Sequence, residues 1–463
     1  MGTKKDAALS EKISDYNVSP NGEELTIRKE NDVYVTTFDK AFSSKGAGEK
    51  VSLGGLLYTL DYRQEWTQIF NDCWRWYRDF FYDPNMHGRD WKAIGDRYRA
   101  YVSGINSREE LNWIMSQMVG ELCVSHTYIS GGDYGSTPTL PPIYTGWLGA
   151  DLVADKKAGY YRFDKIYGPT EFNANATSPL ARPDFDVHEG YYLLAINGAE
   201  LKVPDDYNKY LQVSSGQKVS ITVNAKPTMQ GAKVYEVEPI RNDNSLRYNR
   251  WLADNIKKVS DATNGKVGYM HITAMGDGGL GEFDKFWRAF RYKDAMIIDV
   301  RRNSGGWTEY FLIDKLERRA TAQSALRGML PMRYPGSTSV GNYVVVSNEN
   351  NASDGEAFLE SFKARKLGTI VGVTSWGGLV GIQNTQLTVD NGKVEQSNTG
   401  FYGENGNWLV ENHGGDPDIT IDNDPGSVMA GKDPQLEKAI EVALKKATEN
   451  PFKFPPVPPF SKP

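Results

Sequence analysis

The 463-residue chain, 39% apolar and 12% aromatic, is long enough for roughly two to four packed domains and too apolar for disorder. A formal charge of −6 and a pI near 5.6, with no basic stripe, argue against nucleic acid as a natural partner. No run approaches the apolar length of a membrane span. Met1-Gly2-Thr3-Lys4-Lys5-Asp6 has no apolar segment behind it, so the expected setting is cytoplasmic for the chain as given, and periplasmic or secreted if an upstream segment was removed.

Five histidines (His87, His126, His188, His271, His413) show no paired ligand spacing, and no metal or other cofactor is expected. Cys73 and Cys123 fall inside apolar helical patterns and read as free buried thiols, not a disulfide framework.

Residues 1–61 read as short strands. A turn at Val18 to Glu23 precedes the alternating Leu25 and Ile27, then Val33-Tyr34-Val35. The segment has the form of one β-propeller blade, or of strands that augment the next domain. From Arg63 to Leu122 the pattern is helical: Trp66, Ile69, Phe70, Cys73, Trp74 and Tyr77, then Leu111, Ile114, Met115, Met118 and Leu122, recur every three or four residues. Ser107 with Glu110 spells a capping box for the later helix, and the linking loop places His87 at the surface. At Ser125-His126 the helical pattern gives way to an extended one. That histidine at an element end is either a structural hydrogen-bonder or a base whose ring the flanking hydroxyls orient.

Residues 146–240 are punctuated by Gly, Pro and Asn between short strands: Leu152-Val153, Tyr160 to Phe163, Tyr192 to Ile196 and Lys218 to Val223. Asn197-Gly198 is a hairpin signal, and Pro204 to Leu211 reads as a small helix. The arrangement resembles the second half of a PDZ domain; a generic small β-barrel insertion is the alternative. After a helical stretch at Leu246 to Val259, strands and helices alternate: Val267 to Ile272, Leu280 to Phe290, Ala295 to Val300, Tyr310 to Arg319, Tyr343 to Val346, Gly355 to Lys363 and Thr369 to Val373. This is a βαβ layer, whose ligands gather at the carboxyl ends of the strands.

Two such ends stand out. At one, Ser353 opens a strand-to-helix turn, where it either caps the helix or serves as a nucleophile beside the free N–H groups of the first helical turn. At the other, Gly305-Gly306 is either a plain loop or a backbone approach suited to an oxyanion hole. Asp299 and Arg301 read as structural charges at the sheet end.

Asp299 to Gly306, Ser353 to Phe358 and Gly368 to Gly372, in this order, resemble the core of the C-terminal processing (tail-specific) peptidase clan of serine peptidases. The runs Trp74 to Gly88, Gly120 to Tyr128, Val410 to Ile419 and Asp433 to Ile440 resemble its tricorn protease branch. The Ser-Lys branch carries a lysine about two dozen residues after the serine; here that turn is Thr374-Ser375-Trp376-Gly377-Gly378, without one. The resemblance implies a mixed α+β architecture: a helical cap (62–145), a PDZ-like domain (146–240), a crotonase-like α/β sandwich bearing the nucleophile (241–448) and a Pro-rich tail (449–463). It further implies a Ser353 nucleophile, His126 as base, Ser125 orienting the ring and Glu411 behind Ser125. The oxyanion donors would be the N–H groups of Asp354 and Gly306, with Gly305 as the lesser choice. His413, two residues from Glu411, is the competing histidine.

Peptide substrates, held in part as an added strand, and a homo-oligomer are the implied partners. The stretch Ala320 to Gly328, where the archaeal enzyme's acidic specificity residue would correspond, has no carboxylate, so the resemblance does not carry over a preference for basic side chains. The other functional class compatible with the fold is a silent peptide- or ligand-binding protein. The helix Gln435 to Ala447 presents Leu436, Ala439, Ile440, Ala443 and Leu444 for docking on a neighbouring layer, and Pro455 to Pro459 is expected to be extended, with reach to another subunit.

Overall fold

Period-two alternation in the first segment buries Leu25 and Ile27 on one face of a four-stranded antiparallel sheet, Asp15–Val18, Glu24–Lys29, Asp32–Thr37 and Glu49–Lys50, paired in chain order. The computed structural model describes residues 13–41, 48–52, 54–55, 59–135, 143–174, 176–213 and 216–459. It divides into two compact units, residues 1–65 and 66–463.

The helical periodicity yields α1 (Tyr62–Phe80), α2 (Trp91–Val102) and α3 (Arg108–Gly120). Their shared core holds Ile69, Phe70, Cys73 and Tyr77 against Leu111, Met115, Met118 and Leu122. The Ser107 hydroxyl accepts the Glu110 N–H at 3.3 Å, but the Glu110 carboxylate takes the N–H of Asn106, so only half of the expected capping box forms. Cys73 is a free buried thiol whose pKa burial pushes up. Cys123 is free but exposed, because α3 stops at Gly120 and leaves it on the following turn, outside the apolar periodicity. Likewise His87 is not a surface residue. It is half-buried, with Nδ1 2.8 Å from the Leu122 carbonyl and Nε2 2.6 Å from the Tyr82 hydroxyl.

The next sheet is antiparallel in the order Lys233–Val237, Val219–Asn224, Tyr192–Ile196, Tyr160–Ile166 and Ala150–Asp155, with Ala199–Glu200 also paired to Tyr192–Ile196. Asn197 (φ 51°) and Gly198 (φ 78°) make the two-residue hairpin turn, both in the left-handed region that such a turn demands. The helix expected at Pro204 to Leu211 shrinks to one 3₁₀ turn, Tyr207–Leu211.

Then α4 (Asn244–Ala262) leads into the alternating layer: β1 (Val267–His271), α5 (Asp277–Phe290), β2 (Ala295–Asp299), α6 (Glu309–Glu317), β3 (Tyr343–Ser347), α7 (Asp354–Ala364), β4 (Gly368–Gly372) and β5 (Ile419–Thr420). The five strands are parallel and lie side by side in sequence order. The crossover helices α5, α6 and α7 lie together on one face, where α6 packs on both neighbours. The other face is covered by α8 (Pro434–Glu449), which lies on β1 to β4 and is joined to α4 by Lys258–Glu437. Every residue of β1, β2 and β3 is buried, as strands covered on both faces require.

On α8 the buried stripe runs Leu436, Ala439, Ile440, Ala443 and Ala447, with Leu444 only half-buried at its margin. The start of the tail is held by its own chain: the Phe452 N–H donates to Asp294 at 2.8 Å and its ring stacks on Tyr292. Residues 460–463 of the tail lie outside the described residues. Asp299 and Arg301 form a buried ion pair at the end of β2, which Arg301 extends to Asp433 beside α8.

A small antiparallel sheet, Thr385–Leu387, Lys393–Glu395 and Tyr128–Ser130, joins the segment after α3 to the loops after β4. Arg108 at the start of α3 pairs with Asp390 in the same hairpin, and both side chains are almost wholly buried. These two links carry the chain just after α3 to the carboxyl edge of the parallel sheet.

Candidate active site

The polypeptide leaves β3 at Ser347 and turns into α7 at Ser353, whose backbone sits at φ 53°, ψ −122°. A serine in that region costs about 1–3 kcal/mol, so the surroundings must enforce it. They do: the Ala352 N–H donates to the Asn303 carbonyl at 3.0 Å, the side-chain amide of buried Asn351 donates to the Gly355 carbonyl at 3.0 Å, and the Ser353 N–H donates to Glu356 at 3.2 Å. The result holds Ser353 Oγ 3.0 Å from His126 Nε2, across 227 residues of chain.

His126 is also at positive φ, 57°, on the turn before Tyr128–Ser130. Its Nδ1 lies 2.8 Å from Ser125 Oγ, which lies 3.2 Å from Glu411 Oε2; the Ser125 N–H donates to Glu411 Oε1 at 2.8 Å. A carboxylate can only accept, so the Ser125 hydroxyl proton points to Glu411 and Ser125 Oγ accepts from Nδ1–H. That order leaves the Nε2 lone pair facing the Ser353 hydroxyl. Burial holds the His126 pKa below the ordinary histidine value, against smaller opposing pulls from Glu411 and Glu395. The ring is therefore neutral near pH 7, the state a base requires.

Glu411 is not a solvent-facing loop carboxylate: it also accepts the N–H groups of Leu379 (2.8 Å) and Val380 (3.0 Å). The turn that lacks a lysine places Trp376 edge-on to the imidazole, 5.6 Å between ring centres. His413 stays apart from this group, its Nδ1 2.9 Å from the Gly414 carbonyl.

Gly305 and Gly306 back directly onto the serine turn. A Cβ on Gly305 (φ 81°) would fall 2.5 Å from Ser353 Cβ, and one on Gly306 (φ 150°) would fall 1.8 Å from the Met275 carbonyl oxygen. The Gly305 N–H is occupied, donating to Asn303 Oδ1 at 2.9 Å. Met275 pairs with the residues flanking Gly306, through Met275 N–H to Gly305 O and Trp307 N–H to Met275 O, so the N–H of Gly306 is left without a protein acceptor among the described residues. The N–H of Asp354, first residue of α7, is in the same condition, as first-turn amides are.

Sequence reasoning missed two members of this neighbourhood, Glu356 and Ser397, and the side-chain role of a third, Asp354. Glu356, fully buried, accepts hydrogen bonds from the Ser353 turn and from the turn after β4; the spacing Ser353-x-x-Glu356 is its only signal. Ser397 donates from its hydroxyl to the Ser125 carbonyl at 2.6 Å and braces the histidine turn. The Asp354 carboxyl accepts the Glu309 N–H at 3.1 Å, and burial together with the Glu309 carboxylate pushes its pKa up to about 7. Among the described residues no group of three or more His, Cys, Asp or Glu could hold a metal ion, and no helix is long and apolar enough to cross a membrane.

Comparison with known proteins matches three family descriptions along the chain: the tricorn protease C1 domain over residues 62–120, the tricorn protease PDZ domain over 146–242, and peptidase family S41 over 266–421. Ser353 and Glu411 lie inside the last stretch, whereas Ser125 and His126 lie outside all three. The chain is similar to tricorn protease homolog 1 of Streptomyces coelicolor, 32% identical over 95% of this chain and 41% of that protein. It is also similar to the putative tricorn-like protease C-terminal subunit of Sulfurisphaera tokodaii, 31% identical over 87% of this chain and 46% of that protein. A crystal structure of the tricorn protease superposes with a TM-score of 0.82 at 26% identity, covering 94% of this chain and 42% of that one. The chain thus spans less than half the length of these relatives.

Proposed function

Because the chain belongs to peptidase family S41 and carries its tricorn-type domains, we propose that it is a serine peptidase that hydrolyses short peptides through Ser353, His126, Ser125 and Glu411. Ser353 Oγ attacks the scissile carbonyl carbon while His126 Nε2 takes the hydroxyl proton; the resulting imidazolium is stabilised through Ser125 by Glu411. The N–H groups of Asp354 and Gly306 receive the oxyanion. Collapse breaks the C–N bond, Nε2 returns its proton to the leaving amine, and water, deprotonated by the same nitrogen, releases the acyl group from Ser353. The observation that carries this reading is the 3.0 Å approach of His126 Nε2 to Ser353 Oγ, with Nδ1 already committed to Ser125.

Substrate main chain added to a sheet edge of the PDZ-type domain, and assembly into a homo-oligomer, belong to the same proposal. Phosphonofluoridate labelling of the intact protein, read by peptide mapping, tests the chemistry. Ser353 should be modified, and His126→Ala should abolish the modification. Wild-type protein that stays unlabelled, yet binds peptides, would leave a binding protein in place of an enzyme. Digestion of a peptide library supplies the cleavage preference, and light scattering the subunit number.

A further inference from the structure

Four consecutive backbone N–H groups, on Gly377, Gly378, Leu379 and Val380, are divided between two carboxylates. The first two donate to Glu356, at 2.7 Å to Oε1 and 2.8 Å to Oε2; the last two donate to Glu411 Oε2. Glu356 also takes the Ser375 hydroxyl on Oε1 at 2.6 Å and the Ser353 N–H on Oε2 at 3.2 Å. Ser375 Oγ in turn accepts the Gly415 N–H, four residues beyond Glu411. The segment 375–380 is also in close touch with the histidine turn, since a Cβ on Gly378 would lie 2.9 Å from Ser125 Cβ. The hydrogen bonds close a ring: Ser353, Glu356, the 375–380 segment, Glu411, Ser125, His126 and back to Ser353.

Glu356 has no solvent exposure, and its hydrogen-bond partners are all neutral donors. Burying a carboxylate without a cation costs several kcal/mol, which a purely architectural contact between two turns would not require. What the carboxylate provides is two oxygens that accept on every side, fixing the serine turn and the Glu411-holding segment to one another. We propose that Glu356 is a positioning residue: it sets the distance between the Ser353 hydroxyl and the Ser125–His126–Glu411 group by clamping both ends of that ring to a single side chain. The inference rests on the peptidase reading and deepens it.

Glu356→Gln in the full chain is the direct test. Oε1 and Oε2 each face two donors, so in either orientation the new amide nitrogen meets two donors and cannot satisfy them. With a short peptide substrate, kcat should fall by about 100-fold, as a small misplacement of reacting groups does, while KM stays within about threefold. The rate of Ser353 phosphonofluoridate labelling should fall in parallel, with complete labelling at long times showing that the fold is intact. Ser375→Ala removes one donor and keeps the carboxylate; a fall in kcat of about 3- to 10-fold at unchanged KM is expected, and this variant decides the matter if Glu356→Gln does not fold. A labelled, active wild type whose Glu356→Gln variant keeps kcat within threefold, or loses efficiency through KM alone, overturns the role of Glu356 and leaves the peptidase reading standing. A wild type that is neither labelled nor active overturns both.

Discussion

At the scale of single residues, the direction of the His126 shift sets a pH dependence. As the proposed base, His126 must be neutral, and burial holds its pKa below the ordinary value of 6.5. The acid limb of kcat/KM should therefore have its midpoint below about 6.5. Glu411 pulls that pKa upward, so Glu411→Gln should move the limb to still lower pH. The same change puts a donor where Ser125 needs an acceptor, and kcat should drop on the order of 10²- to 10⁴-fold. A pH series on the two proteins checks both effects; a limb that moves upward would contradict the assignment. Gly305→Ala offers a steric counterpart: its methyl would sit 2.5 Å from Ser353 Cβ, and labelling of Ser353 should slow by about 100-fold.

At the scale of elements, the links that bring His126 to Ser353 are spread along the chain. The Arg108–Asp390 pair, with side-chain exposures of 1% and 4%, fastens α3 to the hairpin that pairs with Tyr128–Ser130. Removing one partner strands the other charge, so Arg108→Ala should lower stability by about 3–5 kcal/mol in denaturant unfolding. Burial opposes ionisation of Asp390, but Arg108, Thr388 and the Asp133 N–H together hold its pKa well below the carboxylate range. A depressed carboxylate contributes stability above its unfolded pKa and loses it as pH falls through the folded value. The acid-unfolding midpoint of Arg108→Ala should accordingly lie at higher pH than that of the wild type.

This scale also explains what could be read in advance. The alternating layer was legible because continuous apolar strand runs and the 3.6-residue helical period are local signals, and so were the Asn197-Gly198 hairpin and the polar turn at Ser353. The Tyr128–Ser130 sheet was not, since its strands are three residues long and their partners lie far along the chain. Cys123 and His87 were misplaced because helical periodicity was carried past the end of a helix in one case, and a loop was equated with the surface in the other. Glu356 carried a local capping signal, but its contacts with Ser375, Gly377 and Gly378 are tertiary.

At the scale of the whole molecule, the two compact units each have a core of their own, Leu25 and Ile27 in the first and three separate clusters in the second. A chain beginning at residue 60 should therefore keep the Ser353 labelling rate within about twofold, since a unit with its own core folds without its neighbour. Loss of labelling on truncation would show that the first unit supports the second. Crotonase-type layering and the PDZ-type sheet were expected from resemblance, whereas the ring joining Glu356 to Glu411 is visible only once both turns are folded beside each other.

The 227 residues between His126 and Ser353 also bear on biosynthesis under the proposed assignment. A polypeptide emerging from the ribosome exposes the imidazole long before the hydroxyl, and Glu411 follows later still. Cleavage power would then appear only when the last strands have docked, which would keep an unfinished copy from acting on the nascent proteins around it.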